Sequence, residues 1–102
     1  MKQVLCSVKD RAADAYGRPM FVPSVGVAIR SFSDEVNWQD ADNQLYNHPD
    51  DFDLYEFGEF DDNSGQFTLH DQPKLISLGK QVKITKEWFE INRLKGSIFG
   101  SE

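Results

Sequence analysis

The chain has 102 residues, a formal net charge of −6 at pH 7 and a single cysteine. One cysteine excludes an intrachain disulfide and a thiol-rich metal centre, and no apolar run approaches the ~20 residues of a membrane span. Residues 1–71 carry fourteen acids against five bases, and residues 72–102 six bases against three acids, so most of the chain repels a phosphate backbone. The length limits the chain to one domain with a real but thin core. Met1-Lys2-Gln3 leads into a short apolar run with no secretory leader pattern, and a reducing cytosol fits the single thiol.

In chain order, Gln3–Val8 reads as a first strand, β-branched and apolar, with Val4, Cys6 and Val8 on one face and Leu5 and Ser7 on the other. Asp10–Pro19 reads as one turn of helix or an ordered loop, followed by an extended Met20-Phe21-Val22 before Pro23. Ser24 is a strong N-cap for a helix over Ser24–Asn37, whose apolar stripe is Val25, Ala28, Ile29, Phe32 and Val36. Asn37–Asp50 reads as a loop anchored by Leu45 and Tyr46. Trp38 in that loop is either tucked against its own helix, the commoner fate of tryptophan, or exposed as a docking residue.

Phe52–Phe60 reads as a second strand and Gln66–His70 as a third, joined by an Asn63-Ser64-Gly65 turn. Strict alternation puts Phe52, Leu54, Glu56, Gly58 and Phe60 on one side and Asp53, Tyr55, Phe57 and Glu59 on the other. Gly58 marks a candidate bulge that would re-register Phe60. Pro73 ends the third strand or confines it to an edge, and Val82-Lys83-Ile84 reads as a short edge strand. Thr85–Phe99 has a second helical pattern, with Trp88, Ile91 and Ile98 on its stripe.

No residue set spells out a reaction. His48 and His70 have no nucleophile tied to them by a recognisable motif, and Cys6 reads as a small buried hydrophobe. The carboxylates between Asp50 and Asp62 supply hard oxygen ligands. However, Asp61-Asp62-Asn63-Ser64-Gly65 lacks the later carboxylate of a Ca²⁺ loop, since Gln72 and Pro73 stand near that offset. The cluster is read as a solvated acidic face; no metal, no cofactor and no catalytic residue are expected. Phe57, Phe60 and Phe67 on a sheet are candidates for stacking on bases, but core packing is the commoner use, and neighbouring carboxylates disfavour nucleic acid.

The runs Ser7–Asp10, Arg18–Gly26, Ala28–Asn37, Leu45–Phe52, Asp53–Asp62 and Phe67–His70 resemble the small nonstructural protein of gokushoviruses, single-stranded DNA phages of the microvirus group, and the resemblance covers residues 1–84 in order. It implies a counterpart of microvirus protein C, favouring single-stranded genome synthesis coupled to packaging, in the host bacterial cytoplasm and with no catalytic motif. It does not extend past Ile84.

The combined reading is an α+β domain over residues 1–84, a small antiparallel sheet of three to four strands packed by one main helix, with a C-terminal amphipathic helix over 85–102. The expected protein is not an enzyme. It is an accessory that binds the replication initiator–DNA complex or the procapsid, with Trp38, Asp50, Asp51, Asp53, Glu56 and Glu59 as the docking residues. The alternative is direct binding of single-stranded DNA through the basic tail, using Arg11, Arg18, Arg30, Lys83, Lys86, Trp88, Arg93 and Lys95. Exposed sheet edges and the amphipathic tail point to a homodimer.

Overall fold

The structure, a computed structural model, describes residues 1–84. The proposed C-terminal helix, and with it Lys86, Trp88, Arg93 and Lys95, lies outside the described residues. Within them the chain is α+β in a coarse sense, weighted toward sheet. Five antiparallel strands replace the expected three to four.

Strand β1 (Lys2–Asp10) is central because both of its faces carry apolar residues. It pairs with β4 (Phe52–Asp61) along one edge and with β2 (Ala15–Tyr16) and β3 (Met20–Val22) along the other. Of the two readings of Asp10–Pro19, one turn of helix or an ordered loop, the stretch is the second, a tight turn that leads into the short β2: Asp10 accepts from the amides of Ala12 and Ala13, and Asp14 takes a left-handed φ of 54°. Local side-chain bonding of this kind competes with helix and wins when the segment is short. Gly17 and Ser7 then tie the β2–β3 connection to β1, the Gly17 amide on Val8 O and the Ser7 hydroxyl on Gly17 O, both at 2.8 Å.

Helix α1 (Val25–Val36) starts where the sequence places it. The Ser24 hydroxyl accepts from the Val27 amide at 3.2 Å. Ala28, Phe32 and Val36 are buried against Cys6, Phe52 and Leu54, with Val4, Val8, Met20, Val22 and Ile29 around them. This core lies between α1 and one face of the sheet, here called the inner face. The loop after α1 holds a one-turn helix α2 (Gln44–Asn47), capped by Asn43, and a 3-10 turn at Pro49–Asp51.

Strand β5 (Gln66–Leu78) runs well beyond His70 and straight through Pro73. Two facts allow this. Among the described residues β5 pairs only with β4, so one of its edges needs no ladder bonds. In addition, its register jumps from Leu69 opposite Gly58 to Lys74 opposite Glu56, so His70–Pro73 bulge out opposite Phe57. The edge strand expected at Val82–Ile84 is absent. Gly79–Val82 forms a short helix α3, whose Gly79 packs against Pro49 O and Phe52 O so closely that no Cβ fits. Asn37 ties the end of α3 to the end of α1: its Nδ2 donates to Val82 O at 2.9 Å and its Oδ1 accepts from the Ile84 amide at 2.8 Å.

The bulge expected at Gly58 is present, and it reassigns the faces of β4. Leu5 pairs with Gly58 and Cys6 with Glu56, leaving Phe57 unpaired. Directly paired residues share a face. Phe52, Leu54 and Glu56 therefore lie on the inner face together with Glu59 and Asp61. Asp53, Tyr55, Gly58 and Phe60 lie on the outer face with Leu5, Phe21, Phe67 and Leu69. Aromatics and carboxylates that look interleaved in sequence are largely sorted onto opposite faces.

Candidate functional site

Trp38 leaves the end of α1 with 63% of its surface exposed, so the less common of its two expected placements is the one observed. Its amide donates to Glu35 O at 3.3 Å, extending the helix end by one bond. Asn43 then draws the loop back: its Nδ2 donates to Glu35 O at 2.8 Å and Trp38 O at 2.9 Å. Asp40 turns the chain between them by accepting from the Asp42 amide at 2.8 Å. The result is an open groove of about 310 Å³ lined by Glu35, Trp38, Asp40, Asp42 and Asn43. Among the described residues no cation pairs with Glu35, Asp40 or Asp42. An exposed indole face beside three such carboxylates suits a Lys or Arg side chain, by cation–π attraction and ion pairing together.

The other expected docking residues do not join this groove. Asp50 and Asp51 sit in the 3-10 turn before β4, Asp50 exposed and Asp51 half-buried. Asp53 is not a surface residue: it is 4% exposed, and its Oδ2 accepts from Arg11 Nε at 2.8 Å. Position two in an alternating strand puts it on the outer face, where it pairs with Arg11 just past the end of β1. Glu56 is half-buried and meets His70 Nε2 at 3.0 Å, while Glu59 is exposed on the inner face near Lys2.

The basic candidates are scattered. Arg11 is committed to Asp53 and also donates to Asp50 O. Lys83 is turned inward rather than toward a ligand. Its Nζ donates to Val36 O at 3.3 Å and Tyr46 O at 3.1 Å and lies 3.2 Å from the centre of the Tyr46 ring. Removal from water lowers its pKa from the ordinary 10.5. Arg18 is exposed in the β2–β3 connection and Arg30 on α1, so the described arginines and Lys83 form no common patch. The two histidines also stand apart, His70 with Glu56 and His48 in a shallow cleft beside Asp10 and Asp51. No group of three metal-ligating side chains converges among the described residues. Burial raises the Cys6 thiol pKa, with the Glu56 charge adding to it, which marks an unreactive core thiol.

Glu35, Asp40, Asp42 and Asn43 did not stand out in the sequence. Trp38 within an Asp/Asn-rich loop was the available signal, and the groove depends on Asn43 folding that loop back.

No helix among the described residues is long and apolar enough to cross a membrane. No solved structure matches the chain. Protein ORF5 of Chlamydia phage 1 is 41% identical over 63 residues, a stretch that covers 60% of this chain and 66% of that protein, just under two thirds of its length. The family model described as Phage ORF5 protein matches residues 3–82, a span that takes in β1 to β5 and α1 to α3, in keeping with the gokushovirus resemblance. The chain belongs to the Phage ORF5 protein family.

Proposed function

We propose that this phage protein is a non-enzymatic accessory of single-stranded genome synthesis and packaging, a protein C-like factor of the host cytoplasm. It acts by docking a basic segment of the replication initiator–DNA complex or of the procapsid. The observation that carries this reading is the exposed Trp38 set among Glu35, Asp40 and Asp42. Such a groove desolvates one guanidinium or ammonium group against an aromatic face while the surrounding negative potential speeds encounter.

The test is a binding titration of the full chain against the purified phage initiator and, separately, the capsid protein. Trp38→Ala and the double variant Asp40→Asn/Asp42→Asn each weaken binding by roughly tenfold or more, about 1.4 kcal/mol for each factor of ten. Binding by neither partner, or equal binding by the variants, overturns the reading. No feature of the described residues favours direct DNA binding through the basic set, since Arg11 and Lys83 are engaged within the chain.

A further inference from the structure

The outer face of the sheet has no helix on it among the described residues, yet it is the more aromatic of the two. Phe21, Phe60 and Phe67 form one group, with ring centres 5.5 Å apart for Phe21–Phe60 and 4.8 Å for Phe60–Phe67. Tyr16 meets Tyr55 and Phe57 in a second group at 5.6 and 5.3 Å. Phe21 and Phe67 remain 51% and 53% exposed, and Leu69 and Leu75, on the same face by register, 59% and 49%. We infer that this face is where two copies of the chain meet, sheet against sheet, with Phe21, Phe67, Leu69 and Leu75 at the contact.

Three observations select a second copy. The first is area. Aromatic side chains bury ~150–250 Å² each, so half-exposed Phe21, Phe67 and Tyr16 with two leucines leave roughly 500 Å² of apolar surface. That is at the upper end of what a monomer shows, and it supplies most of the ~800 Å² per partner of a stable interface.

The second is charge. Among residues that the strand pairings place on this face, Asp53 is the one carboxylate, and it is buried against Arg11; Lys9 is paired with Asp14 at 3.4 Å. The paired part of the face therefore leaves water without stranding a charge; exposed Asp71 lies in the bulge between Leu69 and Leu75, outside these pairings. A nucleic-acid strand would instead require free cations beside the rings, and these two are neutralised.

The third is the sheet edge. Edge-to-edge pairing through β5 is interrupted by Pro73, which lacks an amide proton, and by the His70–Pro73 bulge. Packing face to face, with two sheets ~10 Å apart, needs no free edge.

Sedimentation equilibrium of the full chain over a concentration series tests this. The expected result is a dimer for the native chain, and self-association at least tenfold weaker for Leu69→Glu and Leu75→Glu. Both positions are open in the single copy, so both variants should keep the native thermal transition. Dilution followed by NMR gives an independent readout: the ring signals of Phe21 and Phe67 shift with concentration while the Trp38 indole does not. A monomeric native chain overturns the inference and leaves residues 85–102 or a single-stranded oligonucleotide as the occupant, the latter seen if adding the oligonucleotide moves the same ring signals. Dimers that persist in both glutamate variants place the contact elsewhere and overturn it equally. The Trp38 titration reads a separate surface, so either idea can fail alone.

Discussion

Replacing Arg11 with alanine leaves Asp53 as an unpaired carboxylate that is 4% exposed and whose Oδ1 already has no partner. Stranding a buried charge in this way costs about 2–3 kcal/mol, toward the low side for a buried pair because Arg11 itself is half exposed. Urea denaturation of Arg11→Ala should show that loss as a lower midpoint with an unchanged slope. Lys83 gives a second expectation, and its sign follows from its lowered pKa. Below the folded pKa both states hold the proton, and folding bears the full penalty of removing the ammonium from water. Between the folded pKa and 10.5 the unfolded chain holds more protons, so stability rises with pH. Thermal melts across alkaline pH should show a rise in the native chain that is missing in Lys83→Met. At the tip of the β4–β5 hairpin the direction of the shift is also downward, for Asp61. Its carboxylate accepts the Asn63 amide, and its pKa lies below 3.8, chiefly because of that bond. The turn's stabilisation is complete above 3.8 and is lost as the pH falls through the folded value, which an NMR titration of Asp61 will locate.

Among the elements, α1 was legible in the sequence because two independent signals coincided, a Ser24 cap and a stripe at helical spacing. β1 and the first half of β5 were legible for the same kind of reason. The rest of β5 was hidden by Pro73, whose tolerance depends on a bulge set by the partner strand. α3 was hidden because one turn is too short to show a period, and because the need for Gly79 arises from Pro49, far back in the chain. The candidate site was half legible. Trp38 stood out by residue type, but its carboxylate neighbours looked like any solvated loop until Asn43 brought them together. The acidic run from Asp50 to Glu59 misled because adjacency in a strand separates side chains. Gly58 is the most demanding position in this part of the fold. Its φ of 151° and the approach of Leu69 Cα to 2.7 Å of any Cβ leave no room for a side chain. Gly58→Ala should cost about 2 kcal/mol or more, measurable by denaturant titration, and should weaken amide protection at Leu5 and Leu69.

For the whole molecule, the two proposed contacts respond to salt in opposite ways. Docking of a basic segment at Trp38 draws on attraction to a chain of charge −6, so it weakens as ionic strength rises. Association of two copies works against repulsion between like-charged bodies, so it tightens. Repeating both titrations from low to physiological salt should give slopes of opposite sign. The sorting behind this difference rests on a single residue. Phe57 occupies a place in β4 but no place in the ladder with β1, so the strand is out of step with itself on either side of it. Were Phe57 to take a place in that ladder, everything beyond would change phase: Phe60 would swing toward the carboxylates' side, and Glu59 and Asp61 would come up among the rings. Ironing out the bulge with Phe57 retained would therefore invert the character of half a strand with its composition untouched, whereas deleting Phe57 would leave every face as it is.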